Sequence, residues 1–320
     1  KYPVLGDVDS PIIPFLIERP DRLVEFSRKC LARGVAIVIV GYPATPFLES
    51  RARFCISSEH TREQLDYVLM VIDETSRELK LRKVSGYAES KNTHDFHSDV
   101  VLNPPSDLVS NLWNTVSVKK IETITEFTTT SFLNMHKHPD VIISAKNAID
   151  VYSCGTCGPR GFYGTLDIHM DLESTLATKL NVEKAIIYSY GLVVVSSVVK
   201  AFAKPNDFLI YDELVSTPVK SGIVLSRASK LSFKHNDISS LVEQLEYAKQ
   251  LDPNGDATVY VLVEGVYANI GDIVNLPCII ALRSRYKFCL ICDDSYGFGL
   301  LGKHRLGTPD HYNVPHSEVD

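Results

Sequence analysis

The chain has 320 residues, 45% of them hydrophobic, and a formal net charge of -6 with acidic and basic residues interspersed. That balance excludes a nucleic-acid surface, which needs a clustered excess of Lys and Arg, and no apolar run reaches the roughly 18 to 20 residues that span a bilayer. Seven cysteines, few and odd in number for this length, point to reduced thiols rather than a disulfide framework.

In chain order, PIIPFLIE from Pro11 reads as a strand, RLVEFSRKCLAR as a helix, VAIVIV and RARFCIS as strands, and Arg62 to Leu79 as a second helix. In that helix Leu65, Val68, Leu69 and Ile72 form the expected apolar stripe, and Thr61 with Gln64 makes a capping-box start. Residues 1–85 are therefore expected to form a small α+β domain. Over 86–117 the chain turns polar, with KNTHDFHSD and the Pro104-Pro105 pair, and shows no sustained period, as a linker would. Over 118–320 strands and helices alternate. AIIYS, DFLIY, KLSFK, TVYVLVE and FCLICDD are the strand candidates, and in DISSLVEQLEYAKQL the residues Ile238, Leu241, Leu245 and Ala248 share one helix face. The alternation predicts an α/β domain with a mostly parallel sheet covered on both sides.

Few local features carry chemistry by themselves. Cys289 and Cys292 have CxxC spacing, but within a strand residues three apart point to opposite faces and cannot chelate one metal. Cys154 and Cys157 lie in a glycine-rich loop without a second ligand pair, so no metal site is expected. Gly191 follows AIIYS and opens a helix. Its position fits either a simple turn or a phosphate held at the positive end of the helix dipole. Asp293 and Asp294 end a strand at the carboxyl edge of the sheet, where a carboxylate either caps the next turn or pairs with a protonated pyridine nitrogen. Arg51 and Arg53 alternate along a strand and face one side, suited to an ion pair or to gripping a substrate carboxylate.

Longer motifs narrow these alternatives. PATP at Pro43 to Pro46 and SRARFCISSEHT at Ser50 to Thr61 resemble the carboxyl domain of the catalytic subunit of serine palmitoyltransferase, an α-oxoamine synthase. SCGTCGPRGFYGTLDIHMDLE, YDELVSTP from Tyr211, FKHND from Phe233, VEGVYANIGD from Val263 and DDSYGFG from Asp293 resemble the non-catalytic subunit of the same enzyme. The order, end of one subunit before beginning of the other, resembles the middle of a fused single-chain enzyme of the kind carried by large algal viruses. The resemblance implies a fold-type I, aminotransferase-like large domain preceded by a small domain of carboxyl-terminal type. It further implies pyridoxal 5'-phosphate as cofactor, L-serine and palmitoyl-CoA as substrates, and 3-ketosphinganine as product, the first step of sphingolipid synthesis.

The resemblance also assigns roles. Arg53 matches the arginine that binds the substrate carboxylate, Asp293 the aspartate at the pyridinium nitrogen, and Gly191 a cofactor-binding position. Cys157, Arg160 and Gly161 belong to an interface loop that reaches toward the cofactor of the other half, in a dimeric arrangement. Two departures imply that residues 118–320 are the non-catalytic half. Ser216 stands where catalytic members place a ring-stacking His, and Tyr296 replaces the His that contacts the cofactor's phenolic oxygen. No T-x-S-K element with a Schiff-base lysine occurs in the 320 residues. Partners are expected to be the other half of a fused chain or a separate catalytic subunit, and not nucleic acid; the second case would make the chain a scaffold or regulatory subunit. A linker of about 30 residues, at roughly 3.3 Å each, would span between fused halves and raise their effective concentration. Relatives sit on the endoplasmic reticulum membrane, which the resemblance extends to the parent protein.

Overall fold

A computed structural model describes residues 2–17, 19–42, 45–46, 49–81, 124–156 and 158–320. The expected linker 86–117, Cys157, and Pro43 with Ala44 of the PATP loop lie outside the described residues. The chain forms two compact units, one of residues 1–4, 15–54 and 60–129, the other of residues 5–14, 55–59 and 130–320.

The first unit draws on β1 (Ile12–Leu16), α1 (Pro20–Ala32), β2 (Val35–Ala36), β3 (Val38–Val40), β4 (Arg51–Cys55), α2 (Arg62–Glu78) and β5 (Thr125–Glu126). Its main sheet has the order β1-β4-β3, with Val38 of β3 antiparallel to Arg53 of β4. Helix α1 starts with Pro20 at its first position, where a missing N–H removes nothing, and buries Leu23, Phe26 and Cys30 along one line. Phe15 stacks on Phe26 with centroids 5.4 Å apart. The capping box of α2 is present, with Thr61 Oγ1 accepting from the Gln64 N–H and Gln64 Oε1 from the Thr61 N–H. The expected stripe needs one correction. The buried residues are Val68, Val71, Thr75 and Ser76, while Leu69 points outward and is 64% exposed. At 100° per residue, Leu69 stands a quarter-turn past the line through Val68 and Thr75.

The second unit contains α3 (Pro139–Tyr152), α4 (Asp167–Leu180), α5 (Gly191–Phe202), β6 (Phe208–Asp212), α6 (Thr217–Leu225), β7 (Ser229–Phe233), α7 (Ile238–Leu251), β8 (Val259–Glu264) and β9 (Cys289–Asp293). The last four strands form a parallel sheet of order β7-β6-β8-β9. Leu209, Ile210, Val261, Leu262, Val263 and Leu290 are fully buried in it. Strands this short and apolar on both faces need cover on both sides, which explains why they are Val, Ile and Leu in continuous runs rather than in alternation. The expected strand AIIYS does not form; Ile186 is 73% exposed and the Ile187 N–H is held by the Glu173 carboxylate at 2.8 Å. An apolar β-branched run becomes a strand only beside a partner strand, and among the described residues none lies there.

Helices α5 and α6 pack closely because Gly222 carries no side chain. A Cβ at Gly222 would stand 2.9 Å from Ser196 Cα and 3.2 Å from Val199 Cβ. By contrast α3 and α4 bury no residue, and Ile143, Ile149, Val151, Met170 and Leu172 on them are at least half exposed or nearly so.

Candidate active site

Because β7 lies on one side of β6 and β8 on the other, the chain reverses its direction of winding between β6 and β8. Open α/β sheets bind ligands at the carboxyl ends of their strands beside such a reversal. Here three carboxylates end neighbouring strands: Asp212 on β6, Glu264 on β8 and Asp293 on β9.

Asp293 and Asp294 are adjacent in sequence and opposite in circumstance. Asp294 accepts from the Thr308 N–H at 2.8 Å and from Thr308 Oγ1 at 2.6 Å. Gly265, Gly297 and Gly307 wrap it so tightly that a Cβ on any of them would collide with its carboxylate oxygens. Burial raises the Asp294 pKa, against the lowering effect of the Thr308 hydrogen bonds. It is a structural carboxylate. Asp293 is half-buried, its Oδ1 takes the Ser295 N–H at 3.1 Å and the Ser295 hydroxyl, and its Oδ2 has no hydrogen-bond partner among the described residues. That free oxygen at a strand end suits a protonated ring nitrogen.

Glu264 is almost wholly buried and accepts the Ser216 N–H at 2.6 Å. Burial pushes its pKa up to about 7, helped by the charges of Asp293 and Asp212 and opposed by the Ser216 hydrogen bonds. Ser216 precedes α6 and presents no ring. Asp212, fully buried, accepts from Nδ1 of His235 at 2.9 Å and from the Leu214 N–H at 2.9 Å. The other ring nitrogen of His235 meets Asp272 at 3.1 Å. Sequence reasoning quoted FKHND and VEGVYANIGD as motifs yet gave His235, Asp212, Glu264 and Asp272 no role. The available signal was that each polar group follows an apolar strand directly.

The other expected residues are placed as follows. Gly191 opens α5 as predicted, though not after a strand; no side chain caps this helix and nothing lies within 4 Å of a Cβ built on Gly191. Arg160 makes a two-pronged ion pair with Glu173 at 2.9 and 3.0 Å, and its Nε donates to Thr165 at 3.2 Å. Glu173 also holds the Ile187 N–H, so this pair braces the glycine-rich loop against α4 and the segment before α5. Arg160 holds the Glu173 carboxyl below its ordinary range. Gly161 has open space around it, and Phe162 with Tyr163 beyond it is strongly exposed. Tyr296 is half-buried, edge-on to Phe132 at 6.3 Å. In the first unit Arg51 is buried and donates to Glu49, while Arg53 on β4 is half-buried.

Residues 123–316, well over half of the chain, match the aminotransferase class I and II family. The chain belongs to that family. This family member is 37% identical over 198 residues to "Long chain base biosynthesis protein 1b" of Oryza sativa, a match covering 62% of this chain and 41% of the relative. It is 38% identical over 191 residues to "Serine palmitoyltransferase 1" of Dictyostelium discoideum, covering 59% and 40%. The chain thus spans about two fifths of the length of these curated relatives. Among solved structures, Sphingomonas wittichii serine palmitoyltransferase superposes with a TM-score of 0.54 at 29% identity, covering 58% of this chain and 45% of that one. A serine palmitoyltransferase of S. paucimobilis with bound PLP and myriocin gives 0.54 at 25% identity over the same shares. The fold is the fold-type I, aminotransferase-like α/β fold.

Proposed function

We propose that this chain is part of a serine palmitoyltransferase, a pyridoxal-phosphate-dependent acyltransferase that condenses L-serine with palmitoyl-CoA to 3-ketosphinganine. The observation that carries the reading is the uneven state of the carboxyl edge of the sheet. Asp293, with one free oxygen, and the uncapped start of α5 at Gly191 fit the ring nitrogen and the phosphate of the cofactor. Ser216 does not fit the ring face, and no Schiff-base lysine motif is present in the 320 residues. When bound, the cofactor would serve as an electron sink for the substrate carbanion. Residues of this chain then bind and orient without covalent catalysis, as expected for the non-catalytic half. Relatives named for serine palmitoyltransferase and long chain base biosynthesis support the substrate class.

On this reading residues 1–85 are the carboxyl-terminal domain of the catalytic half, 86–117 a linker and 118–320 the non-catalytic half. Arg53 would grip the serine carboxylate and fix the orientation of the Cα bond to be broken. Cys157, Arg160 and Gly161 would belong to a loop that completes the active site of the other half. The unburied apolar faces of α3 and α4 support a partner, since contiguous exposed apolar surface marks an interaction site. The same faces favour a second reading, a scaffold or regulatory subunit that docks a separate catalytic chain. Location of the parent on the endoplasmic reticulum belongs to the proposal too; no described helix is long and apolar enough to cross a membrane.

The test is to express the 320-residue chain alone and together with a catalytic serine palmitoyltransferase subunit, and to follow labelled serine into 3-ketosphinganine. Product from the pair and none from the chain alone supports the proposal. A borohydride-reducible cofactor absorbance in the chain alone would overturn the non-catalytic assignment. Failure of the two chains to associate or act together would remove the docking reading.

A further inference from the structure

We propose that His235 is a positioning residue that ties the turns after β6, β7 and β8 into one block and so sets where Ser216 stands. Both of its ring nitrogens face carboxylates, Nδ1 at 2.9 and 3.0 Å from the two oxygens of Asp212 and Nε2 at 3.1 Å from Asp272. A neutral imidazole donates from one nitrogen only, so two acceptor-only partners require the doubly protonated ring. The three residues come from three different strand-to-helix turns. The neighbouring backbone repeats the tie: the His235 N–H donates to Glu213, the Asn236 N–H to Asp212, and the Asn236 side chain to the Ile273 carbonyl while accepting the Asn275 N–H. Asn236 adopts a left-handed backbone at φ 51, a conformation Asn tolerates better than most residues.

The link to Ser216 is short. Asp212 also accepts the Leu214 N–H, the Val215 N–H donates to the Asp212 carbonyl, and Ser216 follows with its own N–H on Glu264. The four-residue turn from β6 to α6 is therefore fastened at one end by His235 through Asp212 and at the other by Glu264. Tyr267 seals the site, its ring edge-on to His235 at 4.5 Å and fully buried.

The titratable groups facing His235 are Asp212 and Glu213 from the turn after β6, Asp272 and Tyr267 from the turn after β8, and Glu264 beside Asp212 at the end of β8. Burial by itself draws the His235 pKa down, but the hydrogen bonds and charges of Asp212 and Asp272 outweigh it and hold it at about 9. Above that pH one of the two carboxylates loses its donor. Asp272, the more exposed of the pair, is the one that can turn to water. The clamp operates whether or not the edge takes the cofactor, because all its partners belong to the chain.

The experiment is nitrogen-15 NMR of the whole 320-residue chain across the alkaline range, following the His235 ring and the Leu214 and Ser216 amides. The expected result is a ring midpoint near 9 with both amide signals shifting at that same midpoint, separate from any step near 7 arising at Glu264. Asp272→Asn should lower the ring midpoint and carry the amide step down with it, and His235→Gln should abolish the alkaline amide step and leave the one near 7. A ring midpoint near the ordinary 6.5, or amides that ignore the ring midpoint, overturns the proposal. Should His235→Gln fail to fold, Asp272→Asn decides the matter alone, since amides that stay put while the ring midpoint moves refute the coupling.

Discussion

Replacing Glu264 by Gln should make the second unit relatively more stable as the pH rises. Gln keeps an oxygen that can accept the Ser216 N–H now held at 2.6 Å, but it cannot ionise. Glu264 titrates at about 7 in the fold against an ordinary 4.5. A carboxyl whose pKa is raised by folding adds stability below its unfolded pKa, and that contribution is lost as the pH climbs through the folded one. The sensitive window thus runs from about pH 4.5 to 7. At roughly 1.4 kcal/mol per pH unit the difference is about 3 kcal/mol. Urea unfolding of the wild type and of Glu264→Gln, followed by far-ultraviolet circular dichroism at pH 5 and pH 8, measures it as a double difference in which all other titrating groups cancel. The variant should gain about 2 to 3 kcal/mol on the wild type between the two conditions. A double difference below about 1 kcal/mol, or one of opposite sign, would show that Glu264 is already solvated or already ionised in the fold.

Gly222→Ala should lower stability by about 1 to 3 kcal/mol, because the new methyl meets the backbone of α5 rather than a movable side chain; thermal unfolding reads this directly. Leu209→Ala, at a fully buried position in β6, should cost about 2 to 5 kcal/mol by the same assay. Asp294→Asn should destabilise the fold by about 1 to 3 kcal/mol by setting an amide against the two Thr308 donors. Asp293→Asn should leave unfolding unchanged and weaken non-covalent pyridoxal phosphate binding, seen by fluorescence quenching; equal effects of the two substitutions on unfolding would refute the division of labour. Arg160→Lys removes the two-pronged contact with Glu173, since an ammonium cannot reproduce the fork. Limited proteolysis within 155–164 should accelerate while the unfolding midpoint stays put.

Strands β6 to β9 were legible because each is a compact run of Val, Ile, Leu, Tyr or Phe closed by a polar residue. Their order was not. That β7 and β8 flank β6 depends on which helix covers which face, and no short window of sequence encodes it. AIIYS has the same composition as the true strands and fails only because the described chain offers it no neighbour. Leu69 was misassigned because a stripe judged on four residues tolerates a wide angular error, which Thr75 and Ser76, polar yet buried, would have narrowed. At the site, Asp293 was distinguished from Asp294 only by resemblance, whereas the structure separates them by what surrounds each. Asp212, His235 and Asp272 lie 23 and 37 positions apart along the chain. Proximity over such separations is a product of sheet order and cannot be read locally.

The enclosure of Asp294 by Gly265, Gly297 and Gly307 means that DDSYGFG and the glycine of VEG answer to two independent constraints. One is the chemistry available at Asp293. The other is steric, since the glycines and the second aspartate interlock and none can change without displacing the rest. A protein that surrendered its chemistry would still be obliged to keep most of these letters in order to fold. Survival of such a motif is therefore a record of architecture, and the loss of activity must be sought at positions like Ser216, where the fold demands no particular side chain and only the reaction does.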